Sequence, residues 1–175
     1  MPTCTTNKRI VVVRHANYRR EALTLGGRYI TAAAHAALLT LPLAEQLQGC
    51  TSFTLRSSPV AWATETAITL NDRFGWLPEG INATHTAPTL VSCHDMQADV
   101  ERLSWDARTD WGGRHALIIV THLEVCCSLP LQIARDLEWP SGDWERFSGL
   151  DRGMAVVLDL EQHTMTRVQS PDADV

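Results

Sequence analysis

The sequence has few cysteines and no pair of them at the spacing of a metal or redox site. Five cysteines are present, and none forms a Cys-x-x-Cys; they are Cys4, Cys50, Cys93, Cys126 and Cys127. An odd number without a disulfide framework is typical of proteins from a reducing compartment. The N-terminus also lacks an apolar stretch after a basic start, so no signal peptide is predicted and we expect a cytoplasmic protein.

Positive charge is not in excess, and the one apolar stretch long enough to span a membrane contains polar residues. The net charge of −5 at pH 7 disfavours a nucleic-acid partner. Residues 116–134 are apolar enough to resemble a membrane span, but His122, Glu124 and Pro130 lie among them, and polar groups are costly in lipid. A buried strand that turns into a buried helix explains the segment better, so we expect no membrane partner.

No internal repeat, low-complexity segment or linker divides the 175 residues, and a single domain over residues 1–175 is expected. Strand patterns alternate with helix patterns along the chain. Strands are predicted at 10–13, 52–55, 116–121 and 155–160, with 163–168 pairing with the last as a hairpin. Helices are predicted at 32–48 (kinked or split by Pro42), from Pro59 with Ser58 as its cap to Gly75, at 96–108 and at 124–137. This alternation predicts a three-layer α/β/α sandwich with a mainly parallel central sheet.

Two of the core strands end in histidine. Arg14-His15 follows the first strand, Thr121-His122 follows the third, and Arg56-Ser57-Ser58-Pro59 follows the second. The carboxyl ends of parallel strands meet at one edge of a sheet, so these side chains are expected to converge. A cation buried there needs an anion, and the arginine fork matches phosphate oxygens. The pattern therefore predicts a phosphoryl pocket in which one imidazole attacks phosphorus and the other stabilises the transferring group.

Four segments, in order along residues 9 to 160, resemble motifs of the histidine phosphatase superfamily, which includes the phosphoglycerate mutases. They are Arg14-His15-Ala16 (Arg-His-Gly in the family), Arg28-Tyr29-Ile30-Thr31 (Arg-Pro-Leu-Thr), the Ser-Ser-Pro segment from Ser57 to Ala67, and Ile119-Val120-Thr121-His122-Leu123 (the second histidine motif). The chain length and the segment Leu90–Asp95 are closest to the small bacterial phosphohistidine phosphatases. A phosphoglycerate mutase-like fold is therefore expected.

The resemblance implies a phosphatase acting on a phosphorylated small molecule or a phosphoprotein, without cofactor or metal. It implies that His15 is the nucleophile, that Arg14 and His122 bind the phosphoryl oxygens, and that the backbone N–H of Leu123 contributes. The general acid is open between Asp95, which also suits a helix cap, and Glu124, which also suits a first helical turn. A phosphoramidate such as phosphohistidine needs such an acid less.

Two positions depart from the family pattern. Ala16 replaces a glycine, and Trp62 stands where the family has its second phosphate-binding arginine. Either Trp62 leaves a weak phosphatase that Trp62→Arg would improve, or another cation fills the gap; the candidates are Arg152, which is favoured, Arg56, Arg19 and Arg20. A degenerate member that binds a phosphorylated ligand or a protein partner without turnover is the alternative function. Mutase activity is disfavoured by the short chain.

Overall fold

The computed structural model describes residues 8–19, 29–87, 96–109, 114–140, 142, 147 and 149–171. Its helices and strands, in chain order, are β1 (Arg9–Arg14), α1 (Ala32–Thr40), α2 (Leu43–Gln46), β2 (Phe53–Ser57), α3 (Ala61–Phe74), α4 (Met96–Thr109), β3 (Ala116–Thr121), α5 (Leu123–Asp136), β4 (Ala155–Asp159) and β5 (Thr164–Val168), with a 3-10 turn at Ala83–His85.

The five strands form one sheet in the order β2-β3-β1-β4-β5. β1 and β2 both pair with β3 in parallel, whereas β4 is antiparallel to β1 and β5 is antiparallel to β4. Four strands thus share one direction and β4 alone opposes them, which confirms the predicted α/β class with a mainly parallel sheet. Because β4 is reversed, its first residue, Ala155, lies opposite Val13 near the end of β1. The turn that precedes β4 therefore reaches the edge at which β1 and β3 end.

The sheet has a hydrophobic core on each face, which explains the unbroken apolar run of β1. Val11 and Val13 pack in a cluster that includes Leu38 of α1 and Leu70 of α3. Ile10 and Val12 point to the opposite cluster, which includes Leu103 of α4 and Leu129 of α5. A strand that is covered on both faces has no side in contact with solvent, so apolar residues need not alternate with polar ones. The predicted three layers are therefore present.

Most helix boundaries lie where the sequence predicts them. Pro42 splits the predicted 32–48 helix into α1 and α2. Gly75 ends α3 in the left-handed conformation (φ 65°), which glycine adopts without steric cost. The apolar residues 116–134 are β3 followed by α5, as predicted, and no helix in the described part of the chain is long and apolar enough to cross a membrane.

The predicted start of the third helix is wrong. α3 begins at Ala61 with Val60 as its cap residue, and not at Pro59 with Ser58 as its cap. The physical reason is that Ser58 still belongs to the sheet edge, because its N–H donates to the carbonyl of Val120 at 2.9 Å. Its hydroxyl lies 2.9 Å from the ring of His122. Ser58 therefore faces the strand ends, and the helix begins three residues later.

Candidate active site

The parallel pairing of β1 with β3 brings His15 and His122 together. Arg14 lies opposite Thr121 in the ladder, and the His15 N–H then donates to the Thr121 carbonyl at 2.9 Å. The two imidazole centroids are 5.0 Å apart, with their planes at 61°. Both rings can therefore contact one phosphoryl group at this edge of the sheet.

The ring of His15 is oriented by its own backbone neighbour. Nδ1 lies 3.0 Å from the carbonyl oxygen of Ala16, and His15 is 6% exposed. A carbonyl oxygen only accepts, so Nδ1 is the nitrogen that carries the proton. The lone pair of a neutral His15 is then on Nε2, which is the atom that can act as a nucleophile.

The surroundings of His15 keep it neutral. Burial lowers its pKa from 6.5 to about 4, and the charges of His122, Arg152 and Arg14 act in the same direction, against the bond to the Ala16 carbonyl. A neutral imidazole at pH 7 needs no prior deprotonation to attack phosphorus. The two arginines, Arg152 and Arg14, also bring positive charge that suits a negatively charged ligand.

His122 is held by Ser58, a residue that the sequence predicts to be a helix cap and not part of the site. The hydroxyl of Ser58 lies 2.9 Å from His122 Nε2 and also accepts the Val60 N–H at 3.3 Å. Burial lowers the pKa of His122; Glu124 opposes this shift and Arg14 adds to it. The signal for Ser58 was its place in the Ser-Ser-Pro segment, where it was interpreted as a helix cap.

Ala16 is compatible with the site. Its φ is not among the positive values, so the glycine of the family motif is not required for conformation here. Its N–H donates to Thr66 Oγ1 at 3.1 Å, and the Thr66 hydroxyl donates to the Trp62 carbonyl at 2.7 Å. The residue that follows His15 is thereby fixed to α3.

Two donors beside His15 are buried and lack a hydrogen-bond partner among the described residues. They are Arg14 Nε and Trp62 Nε1. Arg14 is anchored at its other end, since Nη1 donates to the Leu150 carbonyl at 2.7 Å. Leu123 is the first residue of α5, where a backbone N–H has no acceptor within the helix. An anion at this edge would therefore find several donors.

Trp62 lies beside the two histidines and does more than pack between helices. Its indole stacks on Tyr18 with centroids 4.1 Å apart and planes at 5°, and it lies 6.1 Å from the His15 ring. Tyr18 in turn is 5.4 Å from His15. An aromatic wall of Tyr18 and Trp62 thus occupies the side where the resemblance places an arginine.

Among the candidate replacement cations, Arg152 reaches this wall. Its Nη1 donates to Asn17 Oδ1 at 3.1 Å, and its Cζ is 5.2 Å from the Tyr18 ring centroid. Arg56 Nη1 instead points to the Thr84 carbonyl at 3.5 Å. Arg20 and the candidate acid Asp95 lie outside the described residues, as does Arg28. Glu124 is exposed in the first turn of α5.

A small, open cleft lies next to Ala16, between α1 and the turn that precedes β4. Three alanines of α1, at positions 33, 34 and 37, form one wall, and Arg152 contributes to the rim. The small side chains leave room for part of a ligand next to Ala16 and Arg152.

Comparison with solved structures identifies the fold. The protein histidine phosphatase SixA complexed with tungstate is 17% identical, with a TM-score of 0.58, over 93% of this chain and 97% of that one. A phosphoglycerate mutase from Plasmodium falciparum is 18% identical, with a TM-score of 0.53, over 95% and 91%. A mycobacterial glucosyl-3-phosphoglycerate phosphatase, in complex with VO3, is 16% identical, with a TM-score of 0.55, over 86% and 92%. No family model and no curated protein matches the sequence.

The chain therefore has the phosphoglycerate mutase-like fold of the histidine phosphatases. The resemblance seen in the four sequence motifs is confirmed at the level of the fold.

Proposed function

We propose that this protein is a phosphatase that hydrolyses a phosphomonoester or a phosphohistidine through a covalent phosphohistidine at His15. The observation that carries the proposal is the state of the His15 ring. The Nδ1–H donates a hydrogen bond to the Ala16 carbonyl, and the pKa of the imidazole is low. The centroid of the ring is 5.0 Å from that of the His122 ring. The shared fold with histidine phosphatases supports the same chemistry.

In the first step, the Nε2 lone pair of His15 attacks phosphorus and the bond to the leaving oxygen or nitrogen breaks. The leaving group takes the bonding electrons and a proton, for which Glu124 and Asp95 are the candidate donors. Arg14, His122 and the Leu123 N–H stabilise the charge on the phosphoryl oxygens. In the second step, water attacks phosphorus and gives a proton to the carboxylate that donated in the first step. The P–N bond breaks, its electrons return to Nε2 of His15, and inorganic phosphate leaves.

A labelling experiment tests the covalent step. The protein is mixed with a ³²P-labelled aryl phosphate, quenched in base and separated from free label. A phosphohistidine survives base and is lost in acid, so base-stable, acid-labile label is expected on the wild type and none on His15→Ala. The matched control is His35→Ala, because His35 is on α1 and does not line the cleft. Full turnover by His15→Ala would refute the mechanism.

A binding protein without turnover is the second candidate, and Trp62 is the observation that favours it. An indole has one N–H and no charge, so it cannot replace an arginine in neutralising a phosphoryl group. For this function we expect inorganic phosphate to raise the Tm of the wild type, while no product or covalent label forms with any phosphorylated substrate. Release of phosphate that depends on His15 would exclude it.

A further inference from the structure

The phosphoryl site has an unusual distribution of charge. The resemblance implies two arginines, one next to the nucleophile and one on the helix after the second strand. Here the first is Arg14, but the second position is Trp62, whose indole is stacked on Tyr18. If the proposed phosphatase function holds, on which this inference rests, the transferring dianion needs a second cation from another part of the chain.

The turn that precedes β4 is fixed to the nucleophile's own backbone. The N–H of Gly153 lies 3.1 Å from the Arg14 carbonyl and 3.3 Å from the His15 carbonyl. Gly153 has a φ of 80°, a conformation that glycine adopts readily. The residue before it, Arg152, is thereby kept at the mouth of the site.

The side chain of Arg152 is held on two sides. Asn17 accepts from Nη1 at 3.1 Å, and the guanidinium lies over the Tyr18 ring at 5.2 Å, in the range of a cation–π contact. Tyr18 is itself fixed against Trp62. A guanidinium has five N–H donors, so the bond to Asn17 is compatible with donation to a phosphoryl oxygen.

We propose that Arg152 is the second phosphoryl-binding cation of this site, positioned by Asn17 and by the stack of Tyr18 on Trp62. The tryptophan then does not mark a lost function: it supports the tyrosine on which the relocated cation rests. In the transition state, Arg152 donates to a phosphoryl oxygen as charge passes to the leaving group. The charge of Arg152 lowers the pKa of His15 more than the charge of Arg14 does, which agrees with this placement.

The test compares Arg152→Ala with Arg102→Ala. Arg102 is an exposed arginine of α4 that pairs with Asp106, so its removal matches the change in net charge. With p-nitrophenyl phosphate as substrate, Arg152→Ala is expected to lower kcat by about a hundredfold, as the loss of one such donor commonly does. The acid limb of the pH profile of kcat/KM should also move to higher pH in this variant, because the pKa of His15 rises when a nearby positive charge is removed. Arg102→Ala should change neither quantity.

Three outcomes overturn the proposal: a kcat of Arg152→Ala within threefold of the wild type, a rise in KM alone, or a loss of kcat with an unmoved acid limb. A rise in KM alone would assign Arg152 to the leaving group in the cleft. If the wild type itself shows no turnover, the proposed function fails and inorganic phosphate is the probe. A rise of tenfold or more in the Kd of Arg152→Ala for inorganic phosphate then supports the cation site, and an unchanged Kd overturns it.

Discussion

The low pKa of His15 predicts a specific loss of stability in mild acid. The folded protein holds this imidazole at a pKa of about 4, whereas the unfolded chain has the ordinary value of 6.5. Between these two values the unfolded state binds the extra proton and the folded state does not. The free energy of unfolding therefore falls as the pH is lowered from about 7 towards 4, and it rises again with pH.

The magnitude follows from the two pKa values. Proton linkage for one such group gives a loss of about 2 kcal/mol between pH 7 and pH 5. Other groups titrate in this range, so the wild type must be compared with His15→Asn. Asparagine places an N–H near the position of Nδ1, where it can still donate to the Ala16 carbonyl, but it has no proton to gain.

The assay is urea unfolding of both proteins at pH 5 and pH 7. We expect the wild type to lose about 2 kcal/mol more than His15→Asn on this change. NMR titration of the seven histidines gives an independent reading, with the His15 signal identified by its absence from the variant. Equal losses of stability in the two proteins, or a His15 midpoint near 6.5, would refute the reasoning.

Three further predictions follow from the core and the site. With p-nitrophenyl phosphate as substrate, Trp62→Arg should change kcat/KM by less than threefold when it is made in the wild type. When it is made in Arg152→Ala, it should raise kcat/KM at least tenfold. A large gain in the wild type would show that the site lacks a second cation. Leu129→Ala should cost about 2–5 kcal/mol in urea unfolding, because Leu129 is fully buried beneath the sheet; a cost below 1 kcal/mol would contradict the packing. Turnover should persist in excess EDTA, and its loss would refute a mechanism that uses only protein groups.

The fold was predictable because its signals are local. Unbroken apolar runs, Pro42, Gly75 and the alternation of strand and helix patterns each act over a few residues, and the structure agrees with them. The proximity of His15 and His122 was also predictable from the sequence, because neighbouring parallel strands end at a common edge of the sheet. Ser58 was misassigned because a serine before Pro59 suits a helix cap and a sheet edge equally well, and only the pairing with Val120 decides between them.

The surroundings of His15 were less predictable. Arg152 and Tyr18 are far apart in the sequence, and they meet because β4 runs against the other strands. A strand pattern carries no information on direction, so the contact follows from topology. Arg152 could still be favoured from the sequence, because it is a cation just before a core strand. Its hydrogen bond to Asn17 and the stack of Tyr18 on Trp62 could not be predicted.

The central position of β1 in the sheet has a consequence for how the chain is made. β1 leaves the ribosome first, yet its neighbours are β3, which begins at Ala116, and β4, which begins at Ala155. Until β3 has been made, its apolar run therefore has neither sheet partner available. Pairing over such long separations in sequence slows folding and leaves strand edges open to other chains. A nascent chain that stalls before β3 is the species that we expect to aggregate or to need a chaperone, even though the folded protein buries the four aliphatic residues of this strand completely.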